Sequence, residues 1–306
     1  MSLLDIAVRK ALANRARGKP EGTDLAADQR GVSPAFVSPW HFDDGQASPP
    51  ESPVAVAAEP LSSPQIGQPD SRPQFTGFSQ AVEKKLVVGR DAQPVVREQF
   101  RKIAAALYRL REKRKIRVVM VASALPNEGK TLTATNLALT LSESYRSHVL
   151  LVDVDLRRGS LHQVFDIPHS PGLKEGLTGD GELVFPAIKI SSHLKVLTAG
   201  MAAIDPMGAL TSDRLRRLLH HAAGEFEWAV LDTPPLEFLP DAKILASLAD
   251  AAILVVRAGS TKLELSRRAL EAIGRDKVLG VVLNRVTEGV RSSYYEGYED
   301  AGEGGT

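Results

Sequence analysis

A glycine, a lysine and a threonine stand together near the middle of the chain, just after an apolar segment. The stretch Ala124-Leu-Pro-Asn-Glu-Gly-Lys-Thr131 fits the phosphate-binding pattern GxxxxGK[ST] except at its first position, where Ala124 replaces glycine. A strand before such a loop and a helix after it direct backbone N–H groups and the helix dipole at a bound phosphate. Lys130 would neutralise the β- and γ-phosphates, and the Thr131 hydroxyl would ligate Mg²⁺. The stretch predicts a variant P-loop, the alternative being an ordinary strand-to-helix loop.

Three aspartates end two other apolar segments and could complete a site for phosphoryl chemistry. Asp153 and Asp155 alternate at the end of HVLLVDVD, so they share one face of a strand. Asp232 ends the apolar run in WAVLDT, as a Walker B aspartate does. Carboxylates at strand ends can hold Mg²⁺ and accept a proton, and ligands of open α/β sheets bind there. Each aspartate alone could be a surface carboxylate, but with the P-loop the three predict a site that hydrolyses nucleotide or transfers phosphoryl groups.

Tyrosines are concentrated near the end of the sequence. Three of the five, Tyr294, Tyr295 and Tyr298, lie within the last 13 residues. A segment so rich in glycine and acidic residues gives these rings no core to fill, so they are candidate phosphoacceptors. The alternative is a disordered acidic tail with incidental aromatic residues.

Apolar runs and helical patterns alternate from about residue 95 onward. Strand-like runs cover 116–123, 148–155, 194–199, 227–233, 251–258 and 278–284, and helical patterns cover 96–114, 131–145, 212–223 and 263–274. The strand-like runs are nearly continuous in apolar residues, as expected for parallel strands covered on both faces. We therefore predict an α/β fold of the P-loop NTPase class, with a mostly parallel sheet flanked by helices.

The first 80 residues differ from the rest in proline content and in hydrophobic periodicity. Ten of the 19 prolines fall there, and residues 21–80 mix Pro, Ser and Ala without hydrophobic periodicity, which predicts a disordered linker. Residues 1–20 combine apolar positions at helical spacing with basic residues, which predicts a short basic amphipathic helix. That helix is either a frayed terminus or a docking peptide for a membrane surface or a partner. The folded domain is then expected over 81–290 and a flexible tail over 291–306.

Composition excludes several classes of protein. The 306 residues carry 38 Lys and Arg against 37 Asp and Glu, so no global field draws the chain onto nucleic acid. The sequence has no cysteine, which excludes disulfides, thiolate nucleophiles and cysteine-ligated metal sites. No run of about 18 uncharged apolar residues is present, and the first residues lack a signal-peptide core. We expect a soluble cytoplasmic protein.

Together the motifs resemble the bacterial tyrosine kinases of polysaccharide export, P-loop autokinases unrelated in fold to eukaryotic protein kinases. The resemblance covers roughly residues 95–300. It rests on ALPNEGKT as the Walker A motif, LLVDVDLRRGSLH as the second acidic motif, called Walker A′, and VLDTPP as the Walker B motif. LVVRAG and GVVLNRV on the late strands and the tyrosines near the C-terminus add to it.

This resemblance implies a non-specific protein-tyrosine kinase that uses ATP and Mg²⁺ to phosphorylate itself and controls exopolysaccharide or capsule polymerisation and export. A phenol has a pKa of about 10 and needs a base at neutral pH, a role that the family gives to an acid of Walker A′. We assign that role to Asp153, beside Lys130 on the phosphates. Asp155 and Asp232 would act with Thr131 on Mg²⁺, directly or through water.

The same resemblance implies which residues contact the nucleotide. They come from the P-loop, from the first turn of the helix after it, and from the end of the last strand. The residue at that strand end is included by analogy with related ATPases, in which it contacts the adenine edge. The set is Asn127, Glu128, Gly129, Lys130, Thr131, Leu132 and Asn284.

Assembly and partners also follow from the resemblance. Family members usually carry an ExxRxxR helix that helps subunits form a ring, whereas Glu98 and Arg101 are followed here by Ala104. Many members are fused behind a membrane-spanning chain-length regulator, and this sequence shows no such segment. The resemblance then implies a separate membrane-embedded co-polymerase, a location at the inner face of the cell membrane, a homo-oligomer built on tail-to-site contacts, and a cognate tyrosine phosphatase.

Two other functions remain open at this point. A MinD/ParA-like ATPase acting as a nucleotide-switched positioning or scaffold protein would carry a second lysine five residues before the Walker lysine, where this sequence has Leu125. A nucleotide-binding module without transfer activity is compatible with the alanines at positions 124 and 104.

Overall fold

The computed structural model describes residues 64–67, 75–89, 92–178, 184–201, 204–236 and 242–286. The helix predicted over 1–20 and the tail tyrosines Tyr294, Tyr295 and Tyr298 lie outside these residues. None of the described helices is long and apolar enough to cross a membrane.

A seven-stranded sheet forms the centre of the described chain, and a separate two-stranded sheet lies beside it. The strands are β1 Gln65–Ile66, β2 Val118–Ser123, β3 Val149–Asp153, β4 Val184–Phe185, β5 Ile188–Lys189, β6 Leu194–Leu197, β7 Trp228–Asp232, β8 Ala251–Arg257 and β9 Val278–Asn284. The large sheet has the order β5-β6-β3-β7-β2-β8-β9, and only its short edge strand β5 runs antiparallel to its neighbour. This strand order confirms the predicted mostly parallel sheet. The prediction was possible because parallel strands need crossover connections, and the sequence shows helical patterns between most of the strands.

Helices connect the strands and cover both faces of the sheet. They are α1 Gln80–Glu83, α2 Pro94–Arg114, α3 Lys130–Leu139, α4 Leu161–Phe165, α5 Leu173–Thr178, α6 Pro206–Thr211, α7 Asp213–Glu225, α8 Ala242–Leu248 and α9 Leu263–Ile273. After α3 the chain continues as a π-helical turn over Thr140–Ser144. Ser212 caps α7, since its hydroxyl accepts a hydrogen bond from the Leu215 N–H.

Each face of the sheet has its own apolar core. On one face α5, α6, α7, α8 and α9 pack against alternate strand residues such as Met120, Leu150 and Leu231. On the other face α2, α3 and α4 pack against the intervening residues, such as Val121 and Leu151. Strands β2, β3 and β7 are buried along their whole length, so their carboxyl ends emerge together from a dry interior.

The N-terminal part of the described chain corrects the predicted boundary at residue 80. Within the expected disordered linker, β1 pairs with β4, and Ile66 is buried. Phe75 and Phe78 lie edge-on or tilted against Phe165 of α4, with ring centroids 6.2 and 5.5 Å from it. These scattered apolar residues show no periodicity, which is why the sequence pattern missed them.

A buried asparagine ties the same N-terminal segment to the P-loop helix. The side-chain carbonyl of Asn136 in α3 accepts a hydrogen bond from the Val87 N–H at 2.8 Å, and its amide donates to the Lys85 carbonyl at 3.0 Å. Because α3 starts at the P-loop lysine, residues 75–89 support the helix that carries the site.

Replacing Phe78 with alanine should therefore destabilise the protein although it lies before the predicted domain start. We expect a loss of about 1–3 kcal/mol in the free energy of unfolding, because the ring packs on Phe75 and Phe165. Thr76→Ala, at an exposed position of the same segment, is the matched control and should change it by less than about 0.5 kcal/mol. Denaturant unfolding measures both, and equal stability of the two variants would show that the segment does not pack.

Candidate active site

Two left-handed residues shape the P-loop between β2 and α3. Asn127 has φ 61° and Gly129 has φ 98°. Asparagine tolerates this region, whereas a side chain at Gly129 would be strained and its Cβ would collide with Nδ2 of Asn284. Glycine is therefore required at position 129 by the left-handed turn, and a side chain there would also displace the Asn284 amide.

The side chain of Glu128 is buried and does not face a phosphate position. It turns toward the segment between β8 and α9, where its carboxylate accepts hydrogen bonds from the Arg257 N–H at 3.3 Å and from the Thr261 hydroxyl. The other oxygen accepts from the Leu125 N–H at 2.8 Å. The side chain of Glu128 thus supports the loop from behind, so only its backbone could contact a phosphate, and its contact with nucleotide stays a prediction.

Asn284 is also engaged by the P-loop. Its amide donates to the Glu128 carbonyl at 2.8 Å, and its side-chain carbonyl accepts from the Arg285 N–H at 2.8 Å. The structure brings Asn284 to the site as predicted, but its side chain contacts the loop, and an adenine contact stays a prediction. Leu132, in the first turn of α3, packs its side chain against the core, so only its backbone is available to a phosphate.

Lys130 and Thr131 open α3 and meet the acidic strand ends. The Lys130 ammonium lies 3.9 Å from Oδ2 of Asp155. The Thr131 hydroxyl donates to Asp232 and lies 3.3 Å from the hydroxyl of Ser160. Ser160 is not among the predicted site residues, and its place in the Walker A′ motif is the one sequence signal that points to it.

Asp153 and Asp232 are direct neighbours across β3 and β7, since they are register partners at the carboxyl ends of these strands. Asp153 is 0% exposed and Asp232 is 1% exposed. The two oxygens of Asp153 accept hydrogen bonds from the Asp155 N–H at 3.2 Å and from the Leu161 N–H at 3.0 Å. The predicted grouping of the aspartates with the P-loop is present in the structure.

Burial dominates the protonation of this cluster. Burial, together with the charges of Asp232 and Asp155, raises the pKa of Asp153 well above its usual range, although two backbone N–H groups oppose the rise. Burial raises the pKa of Asp232 to about 6, with Asp155 adding to the rise and with Lys130 and the Thr131 hydroxyl opposing it. Added positive charge would therefore stabilise the ionised cluster.

The residues fit a nucleotide phosphate chain with a divalent cation. Oδ1 of Asp232 is buried and has no hydrogen-bond partner in the described structure, which leaves an acceptor for a water or a cation. Among the described residues no group of three or more His, Cys, Asp or Glu side chains is arranged to hold a metal ion by itself. Mg²⁺ does not need one, because it is usually held by one or two carboxylates with phosphate oxygens and water.

Comparison with known proteins decides between the kinds of nucleotide-binding protein. Residues 119–304 match the CobQ/CobB/MinD/ParA nucleotide binding domain family. Tyrosine-protein kinase YwqD of Bacillus subtilis is 31% identical over 224 residues, which are 72% of this chain and 94% of YwqD. The chain belongs to the bacterial tyrosine-kinase family. The resemblance inferred from the motifs is confirmed.

A solved structure and a longer relative extend the comparison within this family. The VpsO kinase domain is 31% identical to this chain, with a TM-score of 0.52, and the match covers 62% of this chain and 98% of that domain. The succinoglycan biosynthesis transport protein ExoP of Rhizobium meliloti is 36% identical over 196 residues, which are 61% of this chain and 25% of ExoP. The chain thus spans nearly all of YwqD but only a quarter of ExoP.

Two family positions have a clear structural setting. Leu125 stands at the position where a MinD/ParA-like ATPase would carry its second lysine. Its side chain is partly buried against the core, so a lysine at this position would lose that packing. Ala104, at the last position of the ExxRxxR pattern, is completely buried in α2, while Glu98 and Arg101 lie on the exposed surface of that helix. Position 104 is therefore a core position here, unavailable to a partner subunit.

Asp232→Asn should make the protein without nucleotide more stable while removing the predicted metal contact. The raised pKa means that Asp232 favours folding below about pH 4 and loses that contribution as the pH rises through about 6. In EDTA the variant should exceed the wild type by about 2 kcal/mol at pH 7.5, and the difference should shrink toward pH 4. Denaturant unfolding at both pH values measures it.

The exposed Asp213 gives the matched control for this prediction. Asp213→Asn removes a carboxylate of similar chemistry from a solvated ion pair with Arg216, so we expect a change within about 0.5 kcal/mol at either pH. A wild type more stable than Asp232→Asn at pH 7.5 would mean that the buried charge is fully compensated in the folded protein.

Proposed function

We propose that the protein is an ATP- and Mg²⁺-dependent protein-tyrosine autokinase that regulates exopolysaccharide or capsule polymerisation and export. The observation that carries the proposal is the meeting of Lys130, Thr131 and three aspartates at the carboxyl ends of β3 and β7, in a chain of the tyrosine-kinase family. The phosphoacceptors are Tyr294, Tyr295 and Tyr298.

The P-loop residues bind and orient the phosphates. Lys130 stands at the N-terminus of α3, where it offsets phosphate charge together with the helix dipole and the backbone N–H groups of the first turn. Mg²⁺ would be held by Thr131, Asp155 and Asp232, and it would screen the charge on the β- and γ-phosphates. Lys130 also keeps Asp155 in place through their ion pair.

Transfer moves one phosphoryl group and one proton. The tyrosine oxygen bonds to the γ-phosphorus, the bond from that phosphorus to the bridging oxygen breaks, ADP leaves, and the phenolic proton goes to a carboxylate. Asp153 is the proposed acceptor, because its raised pKa makes it a stronger base than an ordinary carboxylate. Its side chain is fully buried next to Gly159, so it must become exposed before a tyrosine can reach it.

The tail can reach a site by length alone. Tyr294 is the tenth residue after Asn284, the end of β9, and ten extended residues span at most about 35 Å. Both transfer within one subunit and transfer to a neighbour are therefore possible in length, and we propose transfer between subunits of a homo-oligomer. Tail-to-site contacts would hold that oligomer together.

The proposed setting is the inner face of the cell membrane, with a separate membrane-embedded polysaccharide co-polymerase or chain-length regulator as partner. Support comes from ExoP, named as a succinoglycan biosynthesis transport protein, of which this chain matches only one quarter. A cognate tyrosine phosphatase would reset the tail. Nucleic acid is not a proposed partner, since the near-zero net charge favours none.

Lys130→Met should abolish phosphotyrosine formation and leave the fold intact. The ammonium offsets phosphate charge at the site and fills no core position, so its loss removes transition-state stabilisation. Lys243→Met on α8, an exposed lysine, is the control and should keep wild-type labelling. Phosphotyrosine blotting after incubation with Mg-ATP measures both, and equal labelling of Lys130→Met and wild type would refute the site.

Replacing Tyr294, Tyr295 and Tyr298 together by phenylalanine should stop self-phosphorylation and keep nucleotide binding. Phosphorylation adds about −1.5 to −2 charges per tyrosine beside an acidic site, so wild-type tails should leave the site in Mg-ATP, whereas the triple variant stays associated. Sedimentation velocity compares the two proteins. Tyr145→Phe, which removes a hydroxyl bonded to the Arg101 carbonyl, is the control and should behave as wild type.

If wild type and triple variant sediment alike and the wild-type tail carries no phosphotyrosine, the autokinase proposal fails. The remaining candidate would then be a MinD-like ATPase.

A further inference from the structure

Glu128 is a buried carboxylate inside a loop that must bind phosphate. It is 2% exposed, and in such a place a negative charge is costly unless hydrogen-bond donors surround it. Three donors do so: the Leu125 N–H on one oxygen, and the Arg257 N–H and the Thr261 hydroxyl on the other. A negative charge beside bound phosphates would oppose their binding. The position of the Glu128 carboxylate behind the loop therefore indicates a role other than phosphate contact.

The first arm of this network fixes the start of the P-loop. By taking the Leu125 N–H, Glu128 folds the loop back on itself over three residues. Pro126 has no N–H to offer, so the backbone donors available to a phosphate begin at Asn127. The residues on either side of Glu128, Asn127 and Gly129, are the two left-handed positions of the loop. The carboxylate therefore anchors the middle of the turn whose N–H groups must face the phosphates.

The hydrogen bonds of the other Glu128 oxygen, from Arg257 and Thr261, reach a different part of the sheet. Arg257 ends β8, and Thr261 lies in the turn that leads into α9. Asn284 at the end of β9 adds a parallel tie, because its amide donates to the Glu128 carbonyl at 2.8 Å. The loop is thus held on one side by the acidic ends of β3 and β7, through Lys130 and Thr131, and on the other by β8 and β9 through Glu128.

We propose that Glu128 is a positioning residue for nucleotide binding, which sets the P-loop conformation through Leu125 and couples it to the β8–α9 turn through Thr261. Its carboxylate does not touch the nucleotide and acts only through the backbone of the loop. The proposal rests on nucleotide binding at the P-loop, as stated under the proposed function, but not on tyrosine transfer.

Thr261 gives the cleanest test because its hydroxyl can be removed or kept without touching the loop. Thr261→Val removes the donor at similar volume, whereas Thr261→Ser keeps it. We expect Thr261→Val to weaken binding of Mg-ADP by about 3- to 10-fold and Thr261→Ser to stay within about 2-fold of wild type. Isothermal titration calorimetry measures the affinities, independently of any phosphorylation.

Glu128→Gln tests the whole network. The amide presents an NH₂ group to donors on one side, so we expect about 10- to 100-fold weaker Mg-ADP binding. Adding Thr261→Val to Glu128→Gln should cost less than in the wild-type background, because the two changes break the same contact. In protein without added nucleotide, hydrogen exchange of the Leu125 amide should become faster in Glu128→Gln.

A destabilised variant remote from the loop separates positioning from general loss of stability. Phe226→Leu changes a buried ring between α7 and β7, at the opposite end of that strand from the site. It should lower the thermal midpoint and leave both Mg-ADP affinity and the exchange of the Leu125 amide unchanged.

Several results would overturn the proposal. Wild-type affinity in both Glu128→Gln and Thr261→Val would do so, and so would equal losses in Thr261→Val and Thr261→Ser, or a loss of affinity in Phe226→Leu matching theirs. If the wild type binds no Mg-ADP, the proposed function fails by itself. The exchange of the Leu125 amide would then still decide whether Glu128 holds the loop.

Discussion

The rest of the site depends on two carboxylates buried side by side at the ends of neighbouring strands. Asp153 and Asp232 are register partners on β3 and β7, and neither is exposed to water. Burial raises the pKa of both carboxyls, the charge of Asp232 adds to the rise at Asp153, and nearby positive charge favours their ionised forms. Lys130 supplies part of it, and a divalent cation with its nucleotide would supply the rest. The cluster therefore makes the protein itself less stable at neutral pH and binding-competent at the same time.

The sheet order explains how the P-loop is held between two different supports. Because β2 lies between β7 and β8, the loop after β2 has acidic strand ends on one side and the β8–α9 turn on the other. Lys130 and Thr131 face the first side, and Glu128 faces the second. Gly129 stands between these two contacts in a left-handed conformation that would strain a residue with a side chain.

The fold was largely predictable because its signals are local in the sequence. The bounds of each predicted strand lie within a few residues of those of an observed strand, for example 278–284 against Val278–Asn284. This agreement arises because parallel strands that are covered on both faces have nearly continuous apolar sequences. The grouping of Asp153, Asp155 and Asp232 was predictable for a related reason, as carboxyl ends of parallel strands share one edge. The kinase family was predictable from the joint spacing of the motifs.

Features that depend on distant partners escaped prediction. From its place in the loop, Glu128 is predicted to contact the nucleotide. Only the fold shows that the hydroxyl of Thr261, 133 positions later in the sequence, donates a hydrogen bond to its carboxylate. The packing of Phe75 and Phe78 on Phe165 joins residues far apart in the sequence without any periodic pattern. Asn136 looks like an ordinary helix residue until its partners Lys85 and Val87 are known.

In the proposed function this site transfers the phosphoryl group to tyrosine rather than to water. The most direct measurement compares, in one reaction of wild-type protein with Mg-ATP, the ADP released with the phosphoryl groups retained on the chain by intact mass spectrometry. Released ADP and retained phosphoryl groups should rise together in the first turnovers, and fragmentation should place the retained groups on Tyr294, Tyr295 and Tyr298. ADP released with an equal amount of free phosphate, on a chain of unchanged mass, would contradict it.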